Sequence, residues 1–262
     1  MFNAERRKKL SALVIIPTYE ERDNLEPLAE AVLDQGALFA ILIIDDGSPD
    51  GTGELAEKIK TRHPDRVEVL HRNGKLGLAS AYLMGFRWGI EQGYEYIFEM
   101  DADFSHNPEF LPSLLQAAQN GADVVLGSRY VHGGAIAGWS PDRLILSYAG
   151  SYFAKGVLGL PISDLTGGFK CFRREALQTI DLNGITSTGY AFQIEVTYRC
   201  YQHGLKIVEV PIVFGQRKSG NSKMSGGIIL EAAWLVWRLR FEAIRGGVLV
   251  AESPIGGINE KN

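Results

Sequence analysis

The 262-residue chain is poor in several things that would have defined it. It has two cysteines, Cys171 and Cys200, too few for a disulfide framework or a cysteine-ligated zinc site, and both are expected to be buried thiols of a reducing compartment. It has no run approaching the roughly 20 apolar residues that cross a bilayer. It has no surplus of positive charge, since 31 acidic residues outnumber 27 basic ones and the net charge is -4. That balance leaves no global field for nucleic acid, and no nucleic-acid partner is expected. Walker A, His-Glu-x-x-His, Gly-x-Ser-x-Gly and Cys-x-x-Cys patterns are missing too, so P-loop enzymes, zinc proteases and nucleophile-elbow hydrolases find no support. The basic residues Arg6 to Lys9 precede an apolar run that stops at Pro17. Residues 1–11 therefore read as a basic segment ahead of a strand and not as a secretory signal.

What is present is the make-up of an ordinary folded domain, 45% hydrophobic and 22% charged. Short apolar runs at Ala12–Ile16, Ile41–Ile44, Val67–Leu70, Tyr96–Met100 and Val124–Leu126 predict strands. Helical spacing lies between them at Leu25–Leu33, Leu55–Lys60, Ala79–Glu91 and Phe110–Ala118, with helix-start chemistry at Asn24, Thr52 and Asn107-Pro108. This alternation predicts an α/β fold, a mainly parallel sheet with helices on both faces, and ligands at the carboxyl ends of its strands. After Arg129 the pattern loosens into a helix at Leu144–Leu158, a strand at Phe169–Phe172, a helix at Ala191–His203 and a strand at Ile207–Phe214. The expected organisation is an α/β domain over residues 12–225, an amphipathic helix over 226–246 and a loose tail over 247–262. The apolar and basic mixture of Gly226–Arg245 suits a helix lying in a membrane interface or one buried against the domain.

Three strand ends carry polar groups that a core would not choose: Pro17-Thr18-Tyr19-Glu20-Glu21, Asp45-Asp46-Gly47-Ser48-Pro49-Asp50-Gly51 and Asp101-Ala102-Asp103. In one parallel sheet these ends converge on a single rim. Asp101 and Asp103, two apart on an extended segment, turn both carboxylates to the same side. A pair of that kind suits Mg2+ or Mn2+ shared with a substrate phosphate. His106 reads as an exposed loop histidine or a further ligand. Gly51-Thr52-Gly53-Glu54-Leu55-Ala56 matches a dinucleotide fingerprint in form, but Asp45, Asp46 and Asp50 would repel a pyrophosphate there, so it reads as a turn and helix cap. Positive charge sits at Arg129, after the fifth strand, and in the segment Gly215–Lys223.

Taken in order, Pro17-Thr18-Tyr19-x-Glu21, Ile44 to Thr52, Met100 to His106 and Gly127-Ser128-Arg129-Tyr130 resemble inverting family 2 glycosyltransferases with the GT-A fold. Gly138-Trp139-Ser140, Asp164 to Lys170 and Phe214-x-x-Arg217-x-x-x-x-x-Lys223 narrow the resemblance to the dolichol- or polyprenol-phosphate mannosyltransferases. The resemblance implies transfer of mannose from GDP-mannose to a dolichyl or polyprenyl phosphate at the cytoplasmic face of a membrane. It implies that Pro17, Tyr19, Glu21, Ile44 and Asp46 hold the guanosine, and that Asp101, Ala102 and Asp103 hold the diphosphate and a Mg2+ or Mn2+ ion. It also implies that Arg129, Arg217 and Lys223 contact phosphate, with Asp103, Arg129, Arg217 and Lys223 as the catalytic set. Ser105 stands where some relatives carry a glutamine that helps hold the metal; it is shorter and leaves room for a water. A membrane surface and a separate membrane-anchoring subunit are the further partners implied. UDP-glucose as donor and a catalytically silent nucleotide-sugar-binding module are the alternatives left open.

Overall fold

The computed structural model describes residues 11–215 and 226–245. The basic residues ahead of Ser11, the tail after Arg245, and both Arg217 and Lys223 lie outside the described residues. The elements in chain order are β1 (Ala12–Thr18), α1 (Arg22–Leu33), β2 (Phe39–Asp45), α2 (Thr52–Arg62), β3 (Val67–His71), α3 (Leu78–Gln92) and β4 (Tyr96–Glu99). There follow α4 (Leu111–Gln119), β5 (Val124–Ser128), β6 (Ala135–Ile136), α5 (Pro141–Leu158), β7 (Lys170–Arg173) and α6 (Arg174–Thr179). The described chain ends with α7 (Gly189–Gln202), β8 (Ile207–Pro211), β9 (Val213–Phe214) and α8 (Gly226–Arg245).

Seven strands form one sheet in the order β3-β2-β1-β4-β7-β5-β8. β7 alone runs against its neighbours β4 and β5, and the other pairs are parallel. Six strands therefore point the same way and end on one rim. All seven residues of β2 are buried, which is why that strand is apolar at nearly every position. Along β1, alternate side chains feed two separate cores. Ala12, Val14 and Ile16 join α1, α2 and α4 on one face. Leu13 and Ile15 join α3, α6 and α7 on the other. Gly85 lets α3 lie close on the sheet, since a Cβ there would come within 2.7 Å of the Ile15 side chain. A third apolar cluster joins Leu126 of β5 to α5, α7 and α8.

Several local expectations are corrected. Asn24 does not start a helix; it sits inside the first turn of α1, whose cap is Glu21, and its side-chain amide donates to Glu21 Oε2 at 2.8 Å. Thr52 is the first residue of α2, and Asp50 Oδ1 accepts both its amide and its hydroxyl. The run expected as one strand at Ile207–Phe214 is two, because β9 leaves the main sheet to pair with β6. Asn107 does what was expected, accepting the Glu109 amide at the head of a short 3-10 turn.

Candidate active site

The sheet opens between β1 and β4. β1 stays paired with β2 through Thr18–Asp45, whereas its pairing with β4 stops at Ile15–Glu99. Pro17, which has no amide hydrogen to donate, falls just past that point and still faces Ile44 of β2. The resulting crevice, where strand order turns from β2-β1 to β4, is the place at which open α/β sheets bind ligands.

On one side of the crevice, three loops are stitched together. Glu20 and Glu21 donate their amides to Ser48 Oγ and Thr52 Oγ1, each at 3.0 Å. Asp45 is buried, and its carboxylate takes hydrogen bonds from the Thr18 and Ser48 hydroxyls and the Ser48 amide. Asp46 is also buried, and it is clamped by the Arg72 guanidinium and by the amides of Leu76 and Gly77. Gly47 (φ 67°) permits this closure, because a Cβ there would stand 2.9 Å from the Gly74 amide nitrogen. Lys75 places its ammonium 3.9 Å above the Tyr19 ring. Thus Pro17, Tyr19, Glu21, Ile44 and Asp46 all stand at or beside one end of the paired strands β1 and β2.

On the other side stands the turn after β4. The Tyr82 hydroxyl donates to Asp101 Oδ1 at 3.1 Å, and the Ser105 amide donates to Asp103 Oδ1 at 2.9 Å. Burial, with Asp101 next, pushes the Tyr82 hydroxyl well above its ordinary range, so it remains a donor. Ala102 is buried between the two carboxylates. Glu20 (φ 60°) and Phe104 (φ 64°) are the two non-glycine residues with positive φ among those described, and they occupy the loops that border the crevice. Strain of that kind persists where surrounding contacts over-determine the backbone. Ser105 is fully buried and its hydroxyl has no hydrogen-bond partner, so a ligand role would require the turn to open. His106 is not an exposed loop residue. It is 1% exposed, its Nδ1 accepts the Asp101 amide at 3.0 Å, and burial pushes its imidazole pKa down.

Beneath this turn lies a buried polar cluster. Glu99 and Lys170 face each other across the antiparallel β4–β7 pair. Lys170 Nζ donates to the carbonyl and side-chain oxygens of Gln193, while no hydrogen bond of ordinary geometry reaches either Glu99 oxygen. Burial raises the Glu99 carboxyl from the ordinary 4.5 to about 7, with Lys170 drawing it back down.

Arg129 lies on the same rim but is engaged internally. Its Nε and Nη2 donate to the two Asp164 oxygens at 2.7 and 2.6 Å, and Nη2 also donates to Thr166 Oγ1. Asp164 is fixed in turn by Glu209 of β8, which accepts the Ser163 and Asp164 amides. Tyr130, Trp139 and Phe214 place their rings 4.9 to 5.8 Å from the guanidinium carbon. A phosphate reaching this group would compete with Asp164.

Arg72, Tyr82 and the Glu99–Lys170–Gln193 cluster are not among the residues expected from the sequence. Arg72 did carry a signal, because His71-Arg72-Asn73-Gly74-Lys75 is as polar a strand end as the three singled out. Cys171 and Cys200 are buried as expected, with burial pushing Cys200 up to about 12 and Cys171 well above its usual range.

Comparison with known proteins agrees with this architecture. The chain is 49% identical over 230 residues to polyprenol monophosphomannose synthase of Mycolicibacterium smegmatis, covering 87% of each chain. It is 46% identical over 240 residues to undecaprenyl-phosphate mannosyltransferase of Micrococcus luteus, covering 90% of this chain and 98% of that one. Among solved structures, glucosyl-3-phosphoglycerate synthase of Mycobacterium tuberculosis, in complex with Mn2+, uridine-diphosphate-glucose and phosphoglyceric acid, superposes with a TM-score of 0.65. The match covers 91% of this chain and 82% of that one at 18% identity, a likeness of fold. A family model for glycosyl transferase family 2 matches residues 13–181, most of the described α/β domain, and the chain belongs to that family.

Proposed function

We propose that this enzyme transfers mannose from GDP-mannose to a dolichyl or polyprenyl phosphate, releasing GDP and inverting the anomeric centre to give the β-linked phosphomannose. The observation that carries the reading is the β1–β4 crevice, with an organised loop cluster on one side and the Asp101/Asp103 pair on the other. It occurs on a chain nearly half identical to a polyprenol monophosphomannose synthase.

In this reading the loops at Pro17, Tyr19, Glu21, Ile44 and Asp46 hold the nucleoside, with Arg72 keeping Asp46 in place. Asp101 and Asp103 would hold Mg2+ or Mn2+. No group of three or more histidine, cysteine or acidic side chains among the described residues could hold a metal ion unaided. Two carboxylates fit a cation that completes its shell with diphosphate oxygens and water. When bound, the ion supplies charge neutralisation for the departing diphosphate. An acceptor phosphate oxygen forms a bond to the anomeric carbon while the carbon–oxygen bond to the diphosphate breaks on the opposite side. That oxygen is already anionic, so no general base is needed, and alignment becomes the main task of the protein. Arg129, buried and paired with Asp164, would meet phosphate only in competition with that carboxylate. Arg217 and Lys223 are assigned to phosphate on their sequence motif alone.

A lipid acceptor needs an apolar surface, and two packed helices present one. Ile145, Tyr148, Tyr152 and Phe153 of α5 are exposed, as are Trp234, Trp237, Phe241 and Ile244 of α8. The opposite side of α8 buries Leu235, Val236, Leu239 and Ala243. The helix packs one side on the domain, as one of the two expectations had it, and leaves an apolar face exposed. No helix among the described residues is long and apolar enough to cross a membrane. We propose attachment of this surface to the cytoplasmic face of a membrane.

Thermal melting with added donor tests the donor assignment. GDP-mannose with Mn2+ is expected to raise Tm, and to do so far less after chelation. A shift with UDP-glucose and none with GDP-mannose would overturn the choice of donor.

A further inference from the structure

His106 has no role in the mechanism above, yet it is buried within the turn that carries both carboxylates. Its Nδ1 lies 3.0 Å from the Asp101 amide nitrogen, so Nδ1 accepts and the ring proton sits on Nε2. The ring stacks on Phe169, with centroids 5.0 Å apart and planes 12° apart. It meets the Phe214 ring edge-on at 5.5 Å and 78°. One residue before it, the Ser105 carbonyl accepts the Gly215 amide at 3.0 Å. Two residues before it, Phe104 holds a positive φ of 64°.

The partners Phe169 and Phe214-Gly215 come from two places far along the sequence, and both press on the six residues from Asp101 to His106. β4 ends at Glu99, and two residues beyond it the Asp101 amide donates to His106 Nδ1. This side-chain acceptor inside the turn sets where the Asp101 backbone leaves the sheet. Phe169 and Phe214 then fix the ring itself, so the acceptor cannot swing away. Groups that orient a metal ligand from behind typically change metal affinity by about 10- to 100-fold when replaced.

We propose that His106 is a positioning residue: by accepting the Asp101 amide and bracing against Phe169 and Phe214, it holds Asp101 and Asp103 in the geometry that binds a divalent cation with a nucleoside diphosphate. The proposal rests on the donor-site reading given above, and it adds a residue that never touches the substrate.

Two substitutions separate its functions. His106→Phe keeps a ring to stack on Phe169 but removes the acceptor. His106→Asn loses the stack but carries Oδ1 the same number of bonds from the backbone as Nδ1. Amide exchange in a peptide spanning residues 100–107 needs no ligand. It is expected to quicken most in His106→Phe and less in His106→Asn, which keeps the acceptor but loses the brace. In calorimetry with Mn2+ and GDP, the dissociation constant is expected to rise by roughly 10-fold in His106→Phe. His106→Asn should recover most of that loss. Equal losses in both variants that track a fall in Tm would reduce His106 to core packing and overturn the proposal. Unchanged exchange and unchanged affinity in His106→Phe would overturn it too. Wild-type protein that fails to bind Mn2+ with GDP would overturn the donor reading and the cation-binding role with it, while the exchange result would still decide whether His106 holds the turn.

Discussion

The Tyr82 hydroxyl, at the end of a fully buried side chain on α3, donates to Oδ1 of Asp101 at 3.1 Å. This one bond ties a helix of the second core to the carboxylate at the mouth of the crevice. Tyr82→Phe keeps the ring and removes only the donor. It is expected to fold normally and to weaken binding of Mn2+ with GDP by about 3- to 10-fold, the worth of one ordinary hydrogen bond, because Tyr82 acts on the ligand only through Asp101. Calorimetric titration of both proteins checks this, and equal affinities would show that the bond does not orient Asp101.

Glu99 predicts a pH effect on stability. Its folded-state carboxyl is raised from 4.5 to about 7 by burial, so the folded protein holds a proton that the unfolded chain gives up earlier. Its contribution is therefore intact below about pH 4.5 and is lost as pH rises through about 7. The full loss is about 3 kcal/mol at 1.36 kcal/mol per pKa unit. Glu99→Gln removes this dependence. Urea unfolding at pH 5 and pH 8 should show the variant gaining on wild type at the higher pH. Parallel pH curves for the two proteins would contradict the assignment.

The exposed rings of α5 and α8 predict reversible attachment to lipid. Flotation with vesicles containing anionic lipid should carry the protein upward, and replacing Trp234 and Trp237 by alanine should reduce the floated fraction several-fold. Both rings are solvent-exposed, so Tm should change little. Wild-type protein that stays at the bottom of the gradient would rule out this surface as a membrane contact.

The strands and helices of the first half were legible because each has its own period and its own punctuation. All seven β2 residues are buried, as its unbroken apolar run implied. The rim was legible for the same reason, since parallel strands put Asp45, Asp101 and Asp103 at one edge. What could not be read were pairings between distant segments. Phe169–Phe172 looked like a strand, but nothing local says that β7 slips in antiparallel between β4 and β5. β6 and β9 have two residues each, too few to show a period. His106 looked exposed because its partners Phe169 and Phe214 arrive from remote parts of the chain. The pairing of Arg129 with Asp164 was hidden for the same reason, since Asp164 arrives from a remote part of the chain.

The central claim is sugar transfer at the crevice, and it is tested most directly by following labelled mannose from GDP-mannose into a short polyprenyl phosphate. Wild-type protein with Mn2+ should form a labelled lipid product that carries one mannose. Asp103→Ala should form at least 100-fold less, at nearly unchanged Tm, because it removes an electrostatic partner at the reacting centre and little of the core. Product formation by Asp103→Ala at the wild-type rate, or undiminished transfer by wild type in chelator, would contradict the account.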